Sequence, residues 1–353
     1  MPCLPGHFYF LPFLYKRNIA VFWGMEDFKK LFTSFPAVKV GVIGDVMLDT
    51  YMWGKVERIS PEAPVPVVTL QQKEYRIGGA GNVALNCRSL DAQVSVLSVT
   101  GDDSDSVILK QLLEESKIDT SYLVTSARRI TTNKTRIISR NQQMMRLDAE
   151  VTNDLAAIDE KLFLERVQAY IYTEQPTVII FEDYNKGVLS EHTIKQVIQW
   201  CNQSGIITAV DPKRKNFFSY RGVDIFKPNL KEVKEALNLL VEDINESVLK
   251  NIHAELSRVL NHHISFITLS EKGVFYQQDK EGHIITSHIR NIADVSGAGD
   301  TVIAVASLVY AATRNVQLMA EVANIAGGLV CEEVGTVAIN KEKLLKECEL
   351  LLC

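Results

Sequence analysis

Cysteine is sparse in this 353-residue chain, and the six that occur (Cys3, Cys87, Cys201, Cys331, Cys348 and Cys353) never fall in a CxxC spacing. That scatter argues against a disulfide scaffold or a cysteine-based zinc site and suits a reduced, cytoplasmic protein. Histidine is equally dispersed. The adjacent pair His262-His263 lacks the i,i+4 geometry of a helical metal pair. No apolar run is long enough for a transmembrane helix, so no membrane partner is expected. An excess of positive charge is also missing. The formal net charge is −5, which makes nucleic acid a poor candidate partner. Nowhere does GxxxxGK[ST] occur, which argues against a P-loop enzyme.

What is present is an ordinary soluble composition. Hydrophobic residues make up 46% and charged residues 23%, too apolar for a disordered chain. The length exceeds one typical domain, yet α/β folds often run this long as a single unit. The first 24 residues are aromatic-rich and broken by prolines, and Lys16-Arg17 follow the apolar stretch, whereas a signal peptide has its charges first. Residues 1–24 are therefore expected to be a disordered tail or an artefact of start-site choice. Met25 to Phe32 reads as an amphipathic first helix, completing an N-terminal segment over 1–37 ahead of one domain over 38–353.

From Val38 the pattern becomes periodic. Val38 to Asp45 is a β-branched run ending in Gly-Asp, as buried strands of parallel sheets do. Similar runs recur at Val94 to Val99, Thr177 to Phe181, Ile206 to Asp211 and Ile264 to Leu269. Helical stretches lie between them at Asn82 to Leu90, Ser104 to Glu115, Asp159 to Glu174, Glu191 to Ser204 and Leu230 to Leu239. This alternation predicts a doubly wound, mostly parallel sheet with helices on both faces. Ligands of such sheets sit beyond the carboxyl ends of the strands, which places Asp45, Asp183 and Asp211 on the functional edge. Trp53 to Gln72 and Thr131 to Asp148 break the rhythm, with polar and apolar residues taking turns. They form either a small antiparallel sheet standing off the main one as a lid, over about 50–76 and 121–148, or a meander on the edge of the core.

Two glycine turns carry the chemistry. In Asp294-Val295-Ser296-Gly297-Ala298-Gly299-Asp300-Thr301 a small-residue turn opens into an apolar helix. The N–H groups of Gly297, Ala298 and Gly299 sit at the positive helix end and can hold an anion. Asp300 could take a proton from a hydroxyl attacking a phosphate, or could merely cap the helix. The second turn is Arg76-Ile77-Gly78-Gly79-Ala80-Gly81-Asn82, where an exposed backbone adjoins an amide suited to sugar hydroxyls. Its spacing is not that of a dinucleotide fingerprint.

Together these residues resemble the ribokinase-like (PfkB) carbohydrate kinases, across roughly Val38 to Ile339. The departures are Asp91 and Val305, where that family usually has small residues. Within the family the chain looks like the bacterial heptose 7-phosphate kinases. The stretches that carry this likeness are Gly44 to Asp49, Arg58 to Val67, Ser139 to Gln143, Arg146 to Asp148, Asp183 to Gly187, Asp211 to Lys213 and Lys227 to Glu232. Some such kinases carry a fused nucleotidyltransferase with an HxGH-type motif. None is found here, so the likeness is to the kinase half.

The resemblance implies ATP-dependent phosphorylation of the anomeric hydroxyl of D-glycero-D-manno-heptose 7-phosphate, with Mg²⁺ required. It assigns Asp300 as base, and Asp49, Asn82, Gly78 and Gly79 to the sugar hydroxyls, with Asp45 assisting or only shaping a turn. A substrate that brings its own phosphate needs distal cations, for which Arg136, Arg140 and Lys186 are the candidates. Asn229, Lys231 and Glu232 would serve the nucleotide, with Glu232 organising Mg²⁺ through water. Ser270 and Gly273 would line the ATP phosphates or ribose, and Asn324 the adenine. A homodimer through the lid is expected. The competing readings are another sugar or nucleoside kinase of the family, a sugar sensor without catalysis and a dinucleotide-dependent oxidoreductase.

Overall fold

The computed structural model describes residues 27–140, 142–240, 243–288 and 290–352. The expected tail over 1–24 lies outside them. Helix α1 (Asp27–Ser34) precedes β1 (Lys39–Gly44), and β2 (Val46–Ile59) and β3 (Pro66–Gly79) form a long hairpin. Next come α2 (Ala80–Ser89), β4 (Gln93–Leu97), β5 (Val99–Gly101), α3 (Ser104–Glu115), β6 (Val124–Ser126), and a second hairpin of β7 (Asn133–Ser139) and β8 (Gln142–Ala149). The βα repeats continue with α4 (Ala157–Glu174), β9 (Val178–Glu182), α5 (Glu191–Ser204), β10 (Ile207–Asp211), β11 (Ile225–Phe226), α6 (Leu230–Ala236), α7 (Glu246–Leu260) and β12 (Ile264–Thr268). Antiparallel β13 (Val274–Gln278) and β14 (Glu281–Ile285) lead to α8 (Ala298–Thr313), α9 (Val316–Val330) and α10 (Lys341–Leu351).

The main sheet has the order β14-β13-β12-β11-β10-β9-β1-β4, parallel from β12 to β4. Strands β1, β9 and β10 are buried along almost their whole length because helices cover both faces, which is why they read as continuous apolar runs. Two apolar cores result. One packs α1, α2 and α8 to α10 against the sheet, the other α4, α5 and α7. The helix expected to reach Leu239 stops at Ala236. Among the described residues, no helix is long and apolar enough to cross a membrane.

The irregular segments form a separate four-stranded sheet of order β3-β2-β7-β8. It is not wholly antiparallel as expected, because β2 and β7 run parallel. The chain reaches β7 after crossing α2 and α3, and so re-enters in the same direction as β2. Residues 121–132 do not belong to this sheet, since β6 pairs with β5 instead. Every residue of β8 is exposed, as befits an edge standing clear of the core.

Candidate active site

The two sheets meet where β1 passes into β2. Gly44 registers opposite Glu182 at the end of β9, and Glu182 opposite Asp211 at the end of β10. Parallel register puts side chains of paired residues on the same side, so two carboxyl groups from distant parts of the sequence lie adjacent. The N-terminus of α8 faces this edge. A β-carbon built on Gly299 would lie 3.5 Å from Asp211 Oδ2 and 3.7 Å from Lys227 Nζ.

The glycine turn before α8 is built as its spacing suggests. Gly297 is the N-cap at φ 77°, and a side chain there would come within 2.8 Å of both Asn82 and Thr336. Asp294 braces the turn, its Oδ1 accepting from Ser296 N and Oγ and its Oδ2 from Gly335 N. One expected anion-hole donor is corrected in part. Ala298 N–H donates to Val295 O at 3.3 Å, so an anion must compete for it, whereas Gly297 and Gly299 supply the glycine backbone.

Asp300 is buried, with both carboxylate oxygens oriented. Oδ2 accepts from Asn82 Nδ2 at 2.7 Å and Oδ1 from the Tyr184 hydroxyl at 2.8 Å. Burial pushes its pKa up to about 6, while those two donors pull against the rise. Asn86, one turn beyond Asn82, locks the arrangement. Its amide oxygen accepts from Thr301 Oγ1 and Ile339 N, tying α2 to α8. Asn82 therefore spends its amide N–H on Asp300, which makes the sugar-ligand expectation for that group secondary.

Asp45 is corrected more fully. Its buried carboxylate accepts from the backbone N–H groups of Tyr184, Lys186 and Val188 at 2.9, 3.0 and 3.1 Å. It clamps the loop after β9 and does not offer itself to a ligand. Asp183 is likewise structural, bonded by Asn185 N, Asn216 Nδ2 and the Tyr220 hydroxyl. Asp49 does lie at the edge, beside Gly78, and its Oδ1 pairs with Arg136 at 2.6 Å. Gly79 has φ 59° and passes so close to the Asp45 carbonyl that any side chain would collide with it.

The expected distal cations separate. Arg136 is committed to Asp49 and lies over the Tyr51 ring, and Lys186 pairs with Glu150 at 2.7 Å. Arg140 sits in left-handed conformation on the exposed turn between β7 and β8. Two lysines for which no role was expected approach Tyr184 instead. Lys134 and Lys213 lie 5.4 and 5.5 Å from the centre of the Tyr184 ring. Lys213 also reaches Glu232 and Asp211, and buried Lys227 holds Asp211 at 2.7 Å.

On the nucleotide side, Asn229 caps α6 in a full capping box with Glu232. Glu232 Oε1 accepts from Lys213 and Oε2 from the Asn229 N–H. Lys231 does not join the cluster; its largely exposed side chain points along α6 toward Glu235. Ser270 and Gly273 shape the tight connection between β12 and β13, and Asn324 Nδ2 on α9 donates to Thr286 O. Among the described residues, no three ligating side chains converge into a metal cage. The donor set still fits Mg²⁺, which takes few carboxylates and completes its shell with water and phosphate, because each Glu232 oxygen keeps a spare lone pair.

Glu182 is the residue that the pattern gave no reason to notice. It is fully buried, and both its carboxyl oxygens lack a hydrogen-bond partner. Burial, with Asp211 and Asp300 nearby, drives its pKa well above the usual carboxylate range.

A buried carboxylate at a glycine-turned helix start, at the carboxyl edge of a parallel sheet where Lys213 and Lys227 pair with Asp211, suits phosphoryl transfer. The chain belongs to the pfkB family of carbohydrate kinases, whose model matches residues 38–343. It is therefore a carbohydrate kinase, and that membership implies a sugar and ATP as substrates. It is 40% identical over 305 residues to the Bifunctional protein HldE of Syntrophotalea carbinolica, covering 86% of this chain and 61% of that protein. The HldE of Methylobacillus flagellatus is 40% identical over 308 residues, covering 87% and 62%. The chain thus spans about three fifths of the length of these curated relatives. Among solved structures, phosphofructokinase-2 from Escherichia coli in complex with potassium superposes with a TM-score of 0.73 at 16% identity, covering 89% of this chain and 99% of that one. Arabidopsis thaliana ribokinase complexed with ribose and ATP gives 0.67 at 15%, covering 88% and 99%. At such identities these neighbours share the fold.

Proposed function

We propose that this kinase transfers the γ-phosphoryl group of ATP to the anomeric hydroxyl of D-glycero-D-manno-heptose 7-phosphate in the cytoplasm, forming the 1,7-bisphosphate on the route to ADP-heptose and lipopolysaccharide core. The observation that carries the chemistry is Asp300, a buried carboxylate with one donor on each oxygen in the first turn of α8. The heptose assignment is supported by the stretches Arg58 to Val67 and Ser139 to Gln143, and by 40% identity to HldE over the matched part.

Phosphoryl transfer asks mainly for alignment and neutralised charge. Asp300 takes the proton of the anomeric hydroxyl as that oxygen attacks in line. The backbone N–H groups of Gly297 and Gly299, at the positive end of α8, stabilise charge spreading over the transferring oxygens. Asp49, steadied by Arg136, and the backbone of Gly78 and Gly79 grip the sugar. Lys186, on release from Glu150, meets the distal phosphate, joined by Arg140 when the outer sheet closes over the site as a lid and excludes water. Glu232 would hold Mg²⁺ through water, and the ion would supply charge neutralisation at the phosphates. Pairing of two copies through the outer sheet covers Leu70, Met145 and Leu147, which are exposed in one copy.

The test is ADP release with a panel of sugars and sugar phosphates. Heptose 7-phosphate is expected to give the highest kcat/KM by at least tenfold. Preference for an unphosphorylated pentose or hexose would overturn the heptose reading and leave the family assignment standing.

A further inference from the structure

Tyr184 is half-buried, and the one polar atom of its side chain is spent on the base. The hydroxyl donates to Asp300 Oδ1 at 2.8 Å, opposite the amide of Asn82 on Oδ2. Burial and the neighbouring carboxylates of Asp300, Glu182 and Asp211 keep the phenol protonated, and hence a donor. Its backbone is fixed independently, because the Tyr184 N–H is one of three that Asp45 holds. Lys134, from β7 of the outer sheet, and Lys213, from the loop after β10, both present ammonium groups to the ring.

We propose that Tyr184 is a positioning residue for Asp300. With Asn82 it holds the carboxylate in one orientation, so that the lone pair left on each oxygen points in a fixed direction for the incoming hydroxyl, and Lys134 and Lys213 act on the base through its ring. The inference rests on the reading of Asp300 as the base. A carboxylate pinned at one oxygen alone can swing about its Cβ–Cγ bond; pinned at both, it cannot. A donated hydrogen bond favours the ionised form, which is the form able to accept a proton at neutral pH. Cations beside the ring draw electron density from it and sharpen the hydroxyl as a donor. The charged groups facing this pair are Glu182 from β9, Asp211 from β10 and Lys227 after β11, with Lys134 and Lys213 over the Tyr184 ring. All of them stay in place when only the hydroxyl is removed.

The experiment titrates Asp300 directly, by ¹³C NMR of protein labelled at aspartate carboxyls, with the resonance assigned by its loss in Asp300→Asn. Tyr184→Phe is expected to raise the Asp300 midpoint by about one pH unit, since a hydrogen bond to a charged group is worth about that much. The acidic limb of kcat/KM for the sugar should move by the same amount, with KM for ATP within twofold. A midpoint and limb unmoved by Tyr184→Phe would overturn the proposal. Should the phenylalanine variant fold poorly, 3-fluorotyrosine at position 184 keeps the shape and sharpens the donor. The midpoint should then fall by a few tenths of a unit, and no fall would again overturn the proposal. Lys134→Met should raise it by less than Tyr184→Phe does. The NMR arm needs no turnover, so a wild-type chain that phosphorylated no sugar would sink the kinase reading while the titration still decided the role of Tyr184.

Discussion

Replacing Asp300 by asparagine should produce a kinase that is nearly inactive and more stable than wild type. The structure fixes both signs. An asparagine can turn its amide oxygen to Asn82 Nδ2 and its amide N–H to the Tyr184 oxygen, because a phenol accepts as well as donates. The two hydrogen bonds survive and the cavity is unchanged. What is lost is the proton acceptor, worth about 10²–10⁴ in rate. What is gained follows from linkage. The pKa of Asp300 rises from 3.8 in the unfolded chain to about 6 in the fold. The unfolded state therefore ionises first, and wild-type stability falls as pH climbs from about 4 to 6, then stays lowered. Roughly two pKa units correspond to about 3 kcal/mol at pH 7. Spread over the unfolding entropy of a chain this long, that is roughly 4 °C in Tm. Calorimetry at pH 7 and at pH 4 checks it, since the difference between wild type and variant should vanish at the lower pH. Coupled-enzyme turnover with sugar and ATP checks the rate, and ATP affinity should stay within threefold. Activity within threefold of wild type, or a Tm that drops at pH 7, would show that Asp300 serves only to tie α8 to Asn82 and Tyr184.

Gly297→Ala should cost about 1–3 kcal/mol of stability, read by urea unfolding, and at least a hundredfold in kcat, because it strains a φ of 77° and drives a methyl against Asn82. Glu182→Gln should hold the melting temperature at pH 7 or raise it, since the buried carboxyl has no partner to lose; a fall beyond roughly 5 °C would mean that it is ionised and paired. His262 is buried with its Nε2 2.6 Å from Ser265 Oγ, which also lies 2.8 Å from His253 Nδ1, and burial holds its pKa down at about 3. Because the unfolded histidine takes up its proton near pH 6.5, stability should fall by about 1.4 kcal/mol per pH unit below that point, and His262→Leu should remove that slope from denaturant-unfolding curves.

Much of the architecture was legible because burial on both faces leaves a continuous apolar run and an amphipathic helix leaves a 3.6-residue period. Both are local facts. The bounds of α3 and α5 coincide with those expected, and β1, β9, β10 and β12 fall within a residue or so. The glycine turn ahead of α8 was legible for the same reason, since a tight turn into a helix start needs particular residues in consecutive positions. The outer sheet was half legible. Alternating polar and apolar residues betrayed strands, but strand direction depends on where the chain has been in between, and so β2 and β7 came out parallel.

The partners of each functional group were not legible. Asp45 and Asp49 carry the same side chain four positions apart, yet one clamps a loop through three backbone amides and the other meets Arg136 at the cleft. Tyr184 and Asp300 are 116 positions apart, and Asn82 and Asp300 are 218 apart. Glu182 looked like one more strand residue until parallel register set it beside Asp211 and the fold closed over it. Composition and periodicity report how a residue meets its own helix or strand. The charge state of Asp300, and the groups that hold it, arise from desolvation and from contacts between segments that meet only when the sheet and its two layers of helices assemble.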